Sequence, residues 1–145
     1  MKVLKYTFFV LCVLVILPLL AFYVNEKINE KVFVSRYTFS CEELPPAFEG
    51  YEIMVISDLH EAPFSEQIKG HIKREAPDMI VFTGDMVQLP DSSFEETLKI
   101  AEGVKDIPMY AVSGNHDRQC GAYDEIIAAL WDTGITPLDN DSVAV

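Results

Sequence analysis

The chain has 145 residues, half of them hydrophobic, with 23 acidic side chains against 11 basic ones, and this length fits one globular domain at most. Beyond Lys31, 7 Lys and Arg face 21 Asp and Glu, a net charge of −14. No basic cluster interrupts this acidity, which excludes a phosphate-tracking nucleic-acid surface. Of three cysteines, Cys12 lies in an apolar run, and Cys41 and Cys120 have no C-x-x-C spacing. That pattern excludes a disulfide framework and a zinc knuckle. Free buried thiols are expected at Cys41 and Cys120, with a single bridge between them as the alternative.

The first predicted element is FFVLCVLVILPLLAFYV, Phe8 to Val24, which is 17 residues without a charge. As a helix it spans roughly 26 Å, a little short of a bilayer core of ~30 Å unless Tyr6 and Thr7 join it. Pro18 falls late in the run, and bilayer helices tolerate such a kink. A cleaved signal peptide and an uncleaved anchor both fit. The length of the run and the lack of an A-x-A site favour the anchor. Lys2 and Lys5 oppose a charge-balanced flank of Glu26, Lys27, Glu30 and Lys31. The positive-inside bias then leaves the N-terminus in the cytoplasm and the body of the protein extracytoplasmic, as a single-pass membrane protein. Residues 1–31 are therefore read as anchor and flanks, and 32–145 as the domain.

VFVSRYTF, 32–39, has the β-branched and aromatic content of a strand, and CEELPPAFEG after it is a connector. YEIMVIS, 51–57, is predicted as a strand buried on both faces. Phe64, Ile68 and Ile72 form a helix stripe that Ala76-Pro77 ends. MIVFT, 79–83, is a second buried strand. Ser92 and Ser93, each with a glutamate three residues on, offer capping boxes for a helix with Phe94, Leu98 and Ala101 on one face. MYAVS, 109–113, is a third strand, and AYDEIIAALWDT, 122–133, a helix stopped by Gly134. ITPL and SVAV close the chain as a strand-like pair. Strands alternating with helices imply an α/β layer structure with largely parallel pairing.

Each buried strand runs into a polar cluster: Ser57-Asp58-Leu59-His60, then Gly84-Asp85, then Gly114-Asn115-His116-Asp117. Parallel strands put their carboxyl ends on one edge, where open α/β sheets place ligands. Asp58 and His60, two apart, project to the same side of extended backbone and can grip one cation. Gly84 permits a sharp turn that delivers Asp85, whose two oxygens can bridge two ions. Asn115 offers a neutral oxygen and His116 an imidazole, a mixed donor set that divalent ions accept. Singly, these clusters are common in turns and helix caps. Three of them, each closing a strand, point to a metal site.

The series "VISDLH", "PDMIVFTGDMV" and "VSGNHD" resembles the calcineurin-like metallophosphoesterase family over residues 51 to about 140. With its N-terminal apolar segment, the chain looks most like the membrane-associated bacterial branch, which includes phosphodiesterases and UDP-diacylglucosamine pyrophosphatase-like proteins. The resemblance implies a four-layer αββα sandwich, of which this chain would hold the N-terminal half. It implies two divalent ions of Mn, Fe, Zn or Mg. Asp58 and His60 would bind the first, Asp85 would bridge, and Asn115 would bind the second. His116 would act as acid or charge stabiliser beside the leaving oxygen, and Asp117 would orient it. The implied reaction is hydrolysis of a phosphomonoester, phosphodiester or pyrophosphate by a hydroxide activated between two metals, on substrates that include lipid-linked ones because of the anchor.

Two departures accompany the resemblance. The family often writes G-D-x-x-D, but Gln88 stands at the fifth position. The later isolated histidine and G-H-x-H have no counterparts, because the remaining histidine, His71, belongs to a surface helix with Lys69, Lys73 and Arg74. The chain is therefore read as a partial domain, with weak metal binding and poor turnover when alone. A catalytically inactive remnant or interaction module at the membrane is the alternative reading.

Overall fold

The computed structural model describes residues 2–29 and 31–145, and of residues 2–4 and 26–29 the backbone only. Glu30 and the side chains of Lys2, Glu26 and Lys27, which carry the flank-charge reading, therefore lie outside the described residues. The chain divides into two compact units, Met1–Phe33 and Val34–Val145. The first contains one described helix, α1 (Lys2–Asn29), which continues through Pro18. Its segment Lys5–Asn25 has 21 residues with a mean hydropathy of 2.7. At ~1.5 Å per residue that is roughly 32 Å, enough to cross a bilayer core. Tyr6 and Thr7 thus belong to the candidate span, whose length and composition anchors share with N-terminal signal sequences.

In the second unit the elements alternate: β1 (Ile53–Ile56), α2 (Ser65–Glu75), β2 (Met79–Phe82), α3 (Glu95–Glu102), β3 (Met109–Ala111), α4 (Asn115–Gln119), α5 (Tyr123–Thr133) and β4 (Ile135–Pro137). The four strands lie in chain order β1-β2-β3-β4, all neighbours parallel. Right-handed crossovers that always step in one direction put every helix on the same face. Burial agrees with this. Ile56, Ile80, Phe82, Met109, Ala111 and Ile135 are buried and pack with Ile68 and Ile72 of α2, Ile100 and Ala101 of α3, and Ile126 and Leu130 of α5 in the core.

The opposite face is open. Ile53 and Val55 remain 55% and 61% exposed, and Val81, the register partner of Val55, and its neighbour Tyr110 are half-buried. The expectation that 51–57 is buried on both faces is therefore corrected. A sheet wound in a single direction has helices for only one side. This two-layer arrangement is consistent with half of the implied sandwich.

Helix boundaries follow local chemistry. Ala76 takes a left-handed conformation, φ 48°, before Pro77, because a residue preceding proline is disfavoured in the helical region. Gly134 closes α5 at φ 85°. The capping boxes at Ser92 and Ser93 do not form. Instead Glu61, from the β1–α2 loop, accepts from the Glu96 amide at 3.1 Å and from the Ser93 hydroxyl at 2.8 Å. A carboxylate from a neighbouring segment displaces the local serine as the cap. Two predicted strands are also absent. Residues 32–39 and 142–145 pair with nothing in a sheet among the described residues. β-branched content supplies propensity, but a strand also has to pair, and neither segment joins the open edges at β1 and β4. Cys12, Cys41 and Cys120 are free thiols, and Cys41 is exposed rather than buried.

Candidate metal centre

Because the strands are parallel, the loops after β1, β2 and β3 gather on one sheet edge. They interlock through backbone. The amides of Asp58, His60 and Glu61 donate to the carbonyls of Gly84, Asp85 and Met86 at 3.1, 3.1 and 2.9 Å. Asp58, His60, Glu61 and Asp85 all adopt left-handed φ angles of 47–55°. L-residues accept that conformation at a cost of about 1–2 kcal/mol each, so the surrounding bonds must hold it. Leu59, 5% exposed, anchors the first loop in the core and leaves Asp58 and His60 on the outer side.

Asp58, His60 and Asp85 then present three ligand atoms that all lie within 4.8 Å of one another. His60 Nε2 is 3.9 Å from Asp58 Oδ1. The Ser57 hydroxyl donates to Asp58 Oδ2 at 2.5 Å. His60 Nδ1 sits 3.2 Å from the Val87 carbonyl; donation there leaves the Nε2 lone pair for an ion, the usual outer support of a ligating histidine. Two carboxylates and an imidazole, half-buried or exposed, form a donor set that suits a divalent cation. The residues present fit the metal the chemistry calls for.

The third motif closes over the second. Its loop becomes the short helix α4, which turn chemistry alone did not announce. The His116 amide donates to Asp85 Oδ1 at 2.9 Å, and the His116 ring meets His60 edge-to-face at 4.6 Å between centroids. Asn115 is exposed at the first position of α4. Asp117, expected to orient His116, is buried and spends both oxygens on backbone amides: Asp85 at 2.8 Å, Met86 at 2.9 Å, Val87 at 3.1 Å and Gly114 at 2.8 Å. His116 Nδ1 is buried without a hydrogen-bond partner among the described residues. Any orienting effect of Asp117 on that ring runs through backbone, not through a carboxylate–imidazole bond. Gln88, in place of a family carboxylate, donates to the Leu89 carbonyl at 3.2 Å.

Two glycines make this approach possible. A Cβ on Gly84 would stand 2.5 Å from the Gly114 nitrogen, and one on Gly114 would stand 2.1 Å from Asp85 Oδ1. Sequence reasoning missed a support on the far side of the loop. Asp139 accepts from the Ser113 hydroxyl at 2.9 Å and pairs with Arg118 at 3.1 Å, while Ser113 also meets the Tyr123 hydroxyl at 3.1 Å. No local pattern announces it, since Ser113 and Asp139 are 26 residues apart. His71 lies outside the centre, on α2 beside Arg74.

Comparison with known proteins agrees with this arrangement. Residues 51–142 match the family described as Calcineurin-like phosphoesterase. An "Uncharacterized metallophosphoesterase" of Aquifex aeolicus (strain VF5) is 34% identical over 118 residues, covering 77% of this chain and 44% of that protein. The chain thus spans less than half the length of this relative. No solved structure matches significantly. By the matched region and the donor set its motifs assemble, the chain belongs to the calcineurin-like phosphoesterase family.

Proposed function

We propose that this domain takes part in metal-dependent hydrolysis of phosphate esters beside a membrane. The observation that carries the reading is the convergence of Asp58, His60 and Asp85 from two strand ends onto one point. These three would hold one divalent ion, and Asp85 with Asn115 would contribute to a second; Mn, Fe, Zn and Mg all suit such donors. When bound, the ions reverse the negative sign of this edge toward an anionic ester and supply Lewis acidity toward a phosphoryl oxygen and an attacking water.

The protein's own residues do the rest. Ser57 and the Val87 carbonyl orient Asp58 and His60. The His116 amide fixes one oxygen of Asp85, and the His116 ring serves as proton donor to the leaving oxygen. Phosphomonoesters, phosphodiesters and pyrophosphates share this chemistry. The span Lys5–Asn25 favours lipid-linked members of the class, with the domain on the extracytoplasmic side.

The test is hydrolysis of bis-p-nitrophenyl phosphate and p-nitrophenyl phosphate by the full-length protein in detergent with Mn²⁺. Activity should vanish with EDTA and fall at least ~100-fold in Asp85→Asn, as expected when a positioned electrostatic element is lost. Unchanged turnover in Asp85→Asn would refute the proposal. Mn²⁺ binding without hydrolysis of any ester would favour the interaction module.

A further inference from the structure

We propose that Asp117 is the positioning residue for the whole donor set, acting through three consecutive peptide planes and not through His116; this rests on the phosphoesterase reading above. A trans peptide unit is planar, with N–H and C=O pointing in opposite directions. The Gly84–Asp85 unit gives its N–H to Asp117 and its carbonyl to the Asp58 amide. The Asp85–Met86 unit gives its N–H to Asp117 and its carbonyl to the His60 amide. The Met86–Val87 unit gives its N–H to Asp117 and its carbonyl to the Glu61 amide. Three parallel links thus run from one carboxylate: two pass through the peptide units flanking Asp85 to the backbone of Asp58 and His60, and the third ends at Glu61. The Val87 carbonyl adds a fourth contact, to His60 Nδ1.

The physics favours control from this one residue. Bonds from N–H groups to a carboxylate are about twice as strong as neutral ones. At 4% exposure, water does not compete for the Asp117 oxygens, and each amide polarised on one side donates or accepts more strongly on the other. The left-handed φ angles of Asp58, His60 and Asp85 need such a restraint. An asparagine at 117 offers one acceptor oxygen, and its NH₂ would face two N–H donors, so two of the four bonds would be lost.

The experiment uses the full-length protein, with Mn²⁺ alone as probe. In Asp117→Asn, the Mn²⁺ dissociation constant measured by calorimetry should rise about 10- to 100-fold, the usual cost of losing an outer support. Backbone amide exchange should accelerate at Asp85, Met86 and Val87 and also, one loop away, at Asp58, His60 and Glu61. Ile72→Val, a core change in α2, serves as the control for lost stability and should leave the dissociation constant within about twofold, since it removes no support of the donor set. Asp117→Glu keeps the charge and should fall between the two, and it replaces Asp117→Asn if that variant does not fold. Wild-type Mn²⁺ affinity in Asp117→Asn, or faster exchange confined to residues 85–87, would overturn the assignment. If the unmutated protein bound no Mn²⁺, the phosphoesterase reading would fail. The exchange pattern would then decide the role of Asp117 by itself.

Discussion

The smallest residues at the site have the least freedom to change. Gly84 and Gly114 let two loops touch backbone to backbone, and Gly84 also adopts φ 98°. Gly70, inside α2, has no described atom beyond its own helix backbone within 4 Å of the position its Cβ would take. The two settings predict opposite outcomes for one substitution. Gly114→Ala should lower unfolding free energy by about 2–4 kcal/mol through the collision with Asp85. Gly70→Ala should raise it by about 0.5–1 kcal/mol, because alanine loses less backbone entropy in a helix. Urea denaturation of both variants checks the pair, and a Gly114→Ala protein as stable as the parent would contradict the close approach.

Among the elements, α2 and α3 cap one another. Glu96 of α3 accepts from the Ser65 amide at the start of α2 at 3.0 Å, and Glu61, just before α2, accepts from the Glu96 amide. Lys99 pairs with Glu96 at 2.9 Å, and the Glu96 side chain is 12% exposed. Burial raises the proton affinity of this carboxyl. Hydrogen bonds from Lys99 and Ser65, with the Lys99 charge, outweigh it and hold Glu96 below its ordinary value of 4.5. A carboxyl depressed in the folded state stabilises it above the ordinary value, and that contribution is lost as pH falls through the lower folded one. Thermal melts should therefore show the protein losing stability more steeply below about pH 4.5 than Glu96→Gln does. Identical slopes would remove Glu96 from the account of acid sensitivity.

At the scale of the whole molecule, two apolar features are exposed. One is the helix Lys5–Asn25, and the other is the open sheet face with Ile53, Val55 and Val112, the last 40% exposed. The anchor reading predicts that the protein, expressed in bacteria, stays in the membrane pellet after alkaline carbonate washing and keeps its full mass in mass spectrometry. A product lacking the first ~25 residues would identify a signal peptide instead. The sheet face is exposed because β1 to β4 step in one direction and every crossover helix covers the same side.

The residue pattern alone determined the alternation of strands and helices, the edge where the three motifs meet, and the donor identities Asp58, His60 and Asp85. Period, strand-end position and donor chemistry are local properties, so they are legible along the chain. Tertiary structure decided what depends on partners distant in sequence. VFVSRYTF joins neither open edge of the sheet, so its propensity forms no strand; Ile53 and Val55 lie on the open sheet face, so their apolarity brings no burial. Asp117 reads locally as a neighbour of His116, but the chain bends its carboxylate onto amides 30 to 32 residues away. Side-chain type fixes what a group can bond to, and only the folded backbone settles which partner comes within 3 Å of it.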